Sequence, residues 1–229
     1  MGVRSTLSCD STDAILPTHP ATDEPGSRNV IRLRKPSDAR IGRFLEDQRS
    51  LPFSNPEVGA TRDGAPPGYP LNHHRGRLGT GQETYARAVG ALRRWKMYET
   101  GWTKLCWPDA PITEGTVVGV LGRHFGVWSL NACRIVYVIE EKEASLLKRY
   151  GFAFGTLPGH VELGEERFTV EWHLGDDSVS YEVFAFARPA HPLARVGPPF
   201  VRLVQRRFAA ASLRAMAAAV NTGCSQAGG

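Results

Sequence analysis

The spacing of hydrophobic residues changes along the chain, from helical in the first half to alternating in the middle. Ser37 precedes a helical pattern that ends before Pro52, and Thr80 with Glu83 forms a capping box ahead of a second one. Residues 55–72 lie between the two and are predicted as loop and irregular strand, because prolines and glycines interrupt them. The apolar positions of the two predicted helices are Ile41, Phe44, Leu45, Tyr85, Ala88, Val89, Leu92 and Trp95.

From residue 116 to residue 187 apolar and polar residues alternate, and this period of two predicts β-strands with one buried face. The turn-forming residues 174–178 predict a hairpin between a strand around residues 168–172 and another at 179–187. Further strands are predicted at residues 116–121, 132–139 and 150–156. A last apolar stripe over residues 200–219 predicts a long helix after the sheet.

Helices that stand apart from a run of consecutive strands indicate an α+β fold, because parallel strands would need crossover helices between them. We expect a curved antiparallel sheet packed on the long C-terminal helix. By analogy this is the helix-grip architecture of START and Bet v 1-like domains, which commonly enclose an apolar cavity. A single domain is predicted over residues 30–220, and the polar segments 1–29 and 221–229 are expected to be disordered tails.

Composition and charge narrow the classes of function. The 229 residues are 41% hydrophobic, enough for one core, and no apolar run is long enough to span a bilayer. No signal peptide is recognisable, so a cytoplasmic location is expected. The 28 basic residues exceed the 23 acidic ones by only five, which does not favour nucleic acid as a partner. The four cysteines form no metal-binding or redox pattern, and no cofactor is predicted.

Three stretches of the chain resemble a known family. Residues 55–61 read NPEVGAT, residues 78–81 read LGTG with Trp95 downstream, and residues 150–168 read YGFAFGTLPGHVELGEERF. They look like the domain of unknown function nineteen-ninety, also called uncharacterised protein family five-four-eight, of bacteria and plants. The resemblance covers roughly residues 31–216. It implies no catalytic residues, because the activity of the family is not known.

Residues 160–166 gather one imidazole and three carboxyl groups in a short segment between two predicted strands. In an extended backbone His160 and Glu162 would project to the same side. His160, Glu162 and Glu166 are therefore candidates for acid and base catalysis, or for part of a metal site. The alternative is a solvated turn whose glutamates pair with nearby arginines.

Candidates for ligand binding lie before the second helix and on the strands. Gly79 and Gly81, helped by Arg75, could offer free N–H groups to an anionic ligand at the helix N-terminus, although a tight turn with a capping box explains them equally. Four aromatic residues could form either plain core or the lining of a pocket. These are Trp95, Phe152, Phe154 and Tyr181.

Three hypotheses for function follow. The first is a domain that binds a small apolar or amphipathic ligand between the sheet and the last helix. The second is an enzyme, such as a hydrolase, isomerase or cyclase, that uses residues 160–166 as acid and base, although no nucleophile motif is evident. The third is an interaction module that uses the basic terminal helix, whose arginines are Arg195, Arg202, Arg206, Arg207 and Arg214. The sequence predicts neither the ligand nor the oligomeric state.

Overall fold

The structure is a computed structural model that describes residues 31–141, 146–190 and 198–222. The predicted tail 1–29 lies outside the described residues, as do residues 223–229 of the second predicted tail, whereas residues 221 and 222 belong to the last helix. The strands are β1 (Ile31–Arg32), β2 (Leu71–Thr80), β3 (Thr103–Leu105), β4 (Val117–His124), β5 (Val127–Glu141), β6 (Leu147–Thr156), β7 (Glu162–His173) and β8 (Ser178–Pro189). The helices are α1 (Asp38–Gln48), α2 (Gly81–Arg93) and α3 (Pro198–Thr222), and short 3-10 turns lie at Ala60–Arg62 and Lys96–Tyr98.

The eight strands form one curved sheet in which every pairing is antiparallel. The strand order is β2-β8-β7-β6-β5-β4-β3, and β1 pairs with β5 outside this path. Helices α2 and α3 pack on the concave face, whereas α1 packs on the convex face against β4 and β5. The predicted α+β class, a curved antiparallel sheet packed on a long C-terminal helix, is confirmed.

The hairpin of β7 and β8 has the register that its alternating sequence predicts. Phe168 faces Val183 and Val170 faces Tyr181 across the strands, and these four side chains belong to the concave core. The connecting turn includes Asp177 in the left-handed region, with φ at 58°. Because side chains alternate along a strand, the residues that lie between these four core residues point to the convex face.

Strand β2 is longer than the sequence predicted. Nine of its ten residues pair with β8 at the edge of the sheet, where an irregular segment and a glycine-rich helix entry were expected. Polar residues occupy both of its faces, so the apolar alternation that marks a strand is missing. Gly76 lies under α3, and a Cβ atom there would come within 2.9 Å of Leu213 Cδ2. The missing side chain therefore lets the helix approach the sheet.

Two cores lie on opposite faces of the sheet. The larger one, on the concave face, contains the predicted aromatic residues Trp95, Phe152 and Tyr181. Tyr181 Oη lies 2.8 Å from Ser212 Oγ, a hydrogen bond that joins β8 to α3. The smaller core packs α1 on the convex face with Ile41, Leu45, Leu121, Leu130, Ala132 and Leu157. Among the described helices, none has the length and apolar character needed to cross a membrane.

Candidate functional site

A cavity of about 160 Å³ lies between the concave face of the sheet and α3. Its apolar wall includes Tyr98, Val120, Phe154, Ala185, Val204 and Phe208. Its polar wall includes Asn72, Asn131, His160, Glu162, Gln205 and Glu166. The residues come from the sheet, from the turns beside it and from α3, so the folded chain assembles the cavity from separate segments.

The first residues of β7 place two carboxyl groups in this cavity. Glu162 begins the strand, and Glu166 follows four residues later on the same face. Residues 162–166 are paired with β8 and so belong to a strand, not to the solvated turn that was the alternative, and His160 precedes the strand in a turn that lines the cavity. Glu165 lies between the two and points to the other face.

Glu166 has no hydrogen bond or ion pair with any described residue, and its accessible surface faces the cavity. Burial raises the pKa of its carboxyl group to about 8, and the charge of Glu162 adds to this. Glu162 accepts a hydrogen bond of 2.6 Å from Gln205 Nε2 of α3. Burial raises the pKa of Glu162 to about 7, although the bond from Gln205 lowers it. Both groups are thus poised to gain or lose a proton near neutral pH.

His160 holds a neutral imidazole beside this pair. The backbone N–H of Glu162 donates to His160 Nδ1 at 2.9 Å, and an amide nitrogen can only donate, so Nδ1 carries no proton. The remaining proton lies on Nε2. Burial lowers the pKa of His160 to about 4, which keeps the ring uncharged at neutral pH. His160 therefore supplies no positive charge to the two carboxyl groups.

Glu165 has a different role on the convex face. It is 2% exposed and accepts hydrogen bonds from Gly59 N at 2.6 Å and Thr61 N at 3.0 Å, and its carboxylate also contacts Thr61 Oγ1. Thr61 Oγ1 lies 2.7 Å from Tyr137 Oη. The carboxylate of Glu165 thus holds the NPEVGAT segment against the sheet. The carboxyl groups of Glu162 and Glu166 line the cavity on the other face.

The other sequence candidates lie in several places. Phe154 lines the cavity, whereas Trp95, Phe152 and Tyr181 pack in the concave core. Arg75 projects from the convex face, where its guanidinium lies 2.8 Å from Glu171 Oε2.

Gly79 and Gly81 shape the turn into α2 with φ angles of 149° and 84°. Gly81 N already donates to Asp177 O at 3.0 Å, so one of the free N–H groups expected there has a protein acceptor. The exposed residues of α3 include four arginines of the third hypothesis, Arg202, Arg206, Arg207 and Arg214, and Arg195 lies outside the described residues.

Several cavity residues were missed by the sequence reasoning. Tyr98, Asn72, Asn131 and Gln205 come from four separate parts of the chain and belong to no short motif. Gln205 is one of several polar residues of α3, and no local pattern distinguishes it from the others. Long-range pairing of the strands, and not local spacing, brings these residues together.

Metal and thiol chemistry find little support in the described residues. No group of three or more His, Cys, Asp or Glu side chains within residues 31–141, 146–190 and 198–222 could hold a metal ion. Cys133 lines the cavity, but burial raises the pKa of its thiol well above the usual value. A thiol that stays protonated is a poor nucleophile.

The chain is similar to one protein family and to several known proteins. The model of the family described as Domain of unknown function (DUF1990) matches residues 54–215. A UPF0548 protein of Dictyostelium discoideum is 32% identical over 206 residues, which cover 83% of this chain and 95% of the relative. A UPF0548 protein of Deinococcus radiodurans is 35% identical over 192 residues, with coverage of 79% and 93%. Among solved structures, Ara h 8.0201 is similar at 12% identity and a TM-score of 0.41, with coverage of 68% of this chain and 99% of that one.

Proposed function

This chain belongs to the DUF1990 family, as its motifs predicted, and we propose that it binds a small amphipathic ligand in the cavity between the sheet and α3. The observation that carries the proposal is the carboxyl group of Glu166, which faces the cavity without a partner among the described residues. A buried polar group without a partner costs free energy. A bound ligand that satisfies Glu166 would offset that cost.

The size of the cavity limits the ligand. A volume of about 160 Å³ is close to that of engineered cavities of roughly 150 Å³ that bind benzene. The ligand is therefore about as large as a substituted benzene ring. Its apolar part would contact Phe154, Phe208 and Val120, and its polar end would reach Glu162 and Glu166.

Native mass spectrometry of the freshly purified full chain tests the proposal. We expect a bound compound on the wild-type chain and its loss in Ala185→Leu, because Ala185 lines the cavity opposite Glu166 and the larger side chain takes up ligand space. Ala218→Leu is the matched control, since Ala218 is exposed on α3. A wild-type chain that carries no compound, and that no small amphipathic molecule from a fragment library stabilises against heat, would overturn the proposal.

Catalysis in the same cavity is a second candidate, and the pair of raised pKa values favours it. With its pKa near 8, Glu166 is mostly protonated at neutral pH and can donate a proton, while Glu162, with a pKa near 7, can accept one. The test is to incubate the co-purifying compound with wild type and with Glu166→Gln, and to follow its conversion by mass spectrometry. Conversion by wild type alone, with binding retained in the variant, would support an enzyme.

A further inference from the structure

We propose that the ligand carries a cationic amine, and that Glu166 and Glu162 bind its ammonium group against the aromatic wall of the cavity. This inference rests on the proposed function, because it names the class of ligand for the same site. Three features of the cavity support it: the free carboxyl oxygens, the lack of a cation among the described lining residues, and the position of the rings.

The two carboxyl groups present free acceptor oxygens to the cavity. Both oxygens of Glu166 and one oxygen of Glu162 lack partners among the described residues. The amide of Asn131 is already used, since its Nδ2 donates to Ser129 Oγ at 3.1 Å and its Oδ1 accepts from Val161 N at 3.3 Å. The donors of the described lining include Tyr98 Oη, Asn72 Nδ2, Trp102 Nε1 and His160 Nε2, and all four are neutral. A ligand that brings several charged donors would satisfy the free carboxyl oxygens, and an ammonium group brings up to three.

No cation of the described lining neutralises the two carboxyl groups. The lining contains neither Lys nor Arg, and the imidazole of His160 is neutral. Arg207 of α3 lies near the cavity, but its guanidinium stacks on Trp102 with Cζ 5.1 Å from the ring centroid. A cationic group on the ligand would supply the charge that the described lining lacks.

The aromatic rings lie close to the carboxyl groups that would bind an ammonium group. Phe154 is the cross-strand neighbour of Glu166, and Tyr98 and Phe208 line the same cavity with ring centroids 5.3 Å apart. The faces of aromatic rings attract cations through their negative quadrupole. Carboxyl groups and aromatic rings that line the same cavity thus favour a cation over a neutral or anionic ligand.

Proton linkage distinguishes an amine from a neutral ligand. An ammonium group binds the ionised carboxylates, so its affinity should rise as the pH rises through the pKa values of about 7 and 8. A neutral ligand that accepts hydrogen bonds from the protonated carboxyl groups would bind more weakly over the same pH range, because these groups lose their protons. The other titratable groups around the pair stay neutral there, because burial lowers the pKa of His124 and His160 and raises that of Tyr98, Cys133 and Tyr181.

Isothermal titration calorimetry of the full chain with benzylamine and with benzyl alcohol tests the inference. The two probes have nearly the same shape, and only benzylamine is charged at pH 8. We expect benzylamine to bind about tenfold more tightly than benzyl alcohol at pH 8, to bind more weakly at pH 6, and to release protons on binding. Glu166→Gln should weaken benzylamine about tenfold and leave benzyl alcohol nearly unchanged.

The control variant is Glu46→Gln, which removes an exposed carboxylate on α1 and should change neither affinity. Equal or tighter binding of benzyl alcohol would overturn the amine inference and leave the proposed function standing. Binding of neither probe would also overturn it, and native mass spectrometry would then decide separately whether the cavity holds another class of compound. Circular dichroism of each variant shows that the fold is retained.

Discussion

Glu165 and Glu166 are neighbours in β7, yet the two faces of the sheet give their side chains opposite environments. On the convex face Glu165 accepts hydrogen bonds from the backbone of Gly59 and Thr61. On the concave face Glu166 meets a cavity and no partner among the described residues. A carboxylate that is held by donors stabilises the fold, whereas one without donors remains available to a ligand.

The same contrast extends along the two faces. The convex carboxylates Glu171 and Glu182 are almost fully buried, and each has arginine partners. Arg149 Nε donates to Glu171 Oε1 at 2.9 Å, and Arg167 Nη2 donates to Glu182 Oε1 at 2.7 Å. For the concave carboxyl groups Glu162 and Glu166, the part of the chain that the structure describes provides no such cation. Four predictions test how the two faces differ in the environment of their buried polar side chains, and the prediction with the largest expected effect comes first.

Glu165→Gln should destabilise the protein by about 3 kcal/mol, because an amide cannot accept from all the donors that converge on the carboxylate. Glu166→Gln is the matched variant on the other face. It should not lower the free energy of unfolding at pH 7, since no described donor is lost. Urea unfolding followed by tryptophan fluorescence measures both. Equal losses in the two variants would mean that the faces do not differ.

Wild-type stability should fall as the pH rises from about 5 to about 8, because burial raises the pKa of Glu166 to about 8 and that of Glu162 to about 7. Between the usual value of 4.5 and these values the folded state binds more protons than the unfolded state, so the free energy of unfolding decreases with pH. Glu166→Gln should remove most of this slope and gain about 2 kcal/mol over wild type at pH 8.5. A wild-type slope that persists in the variant would place the titration elsewhere.

Glu182 should show the opposite pH dependence on the convex face. Burial alone would raise its pKa, but hydrogen bonds from Arg167 and His73 outweigh burial and lower it. Its stabilising contribution is therefore present above the usual pKa of 4.5 and is lost as the pH falls through the lower folded value. Glu182→Gln should cost about 1 kcal/mol at pH 7 and progressively less in acid. A constant difference between variant and wild type from pH 7 to pH 3 would contradict this.

The fold was predictable where the sequence has a strong local period. The hairpin of β7 and β8 was predicted because Phe168, Val170 and Trp172 alternate with polar residues before a turn. Strand β2 was missed because both of its faces are polar, and only its pairing with β8 reveals it. The spacing of apolar residues reveals a strand when one face of the strand is apolar and buried. An edge strand without such a face is therefore not recognised from the sequence.

The site was predictable only in part. The concentration of His160, Glu162 and Glu166 in one segment is visible in the sequence, and the structure brings all three to one cavity. The sequence did not separate the role of Glu165 from that of Glu166, because the donors of Glu165 come from a loop more than 100 residues earlier. Such long-range contacts depend on the register of the whole sheet.

The smallest predicted effect concerns two buried threonine hydroxyls. Thr169 Oγ1, on the convex side of β7, is buried without a hydrogen-bond partner among the described residues, whereas Thr156 Oγ1 accepts from Gly164 N at 3.0 Å. Thr169→Val should therefore stabilise the protein by about 0.5 kcal/mol, because it removes an unpaired polar atom and keeps the shape. Thr156→Val is the control and should destabilise by about 1 kcal/mol, because it leaves Gly164 N without its acceptor. Urea unfolding of both variants measures the difference, and a loss of stability in Thr169→Val would show that its hydroxyl is satisfied on the convex face after all.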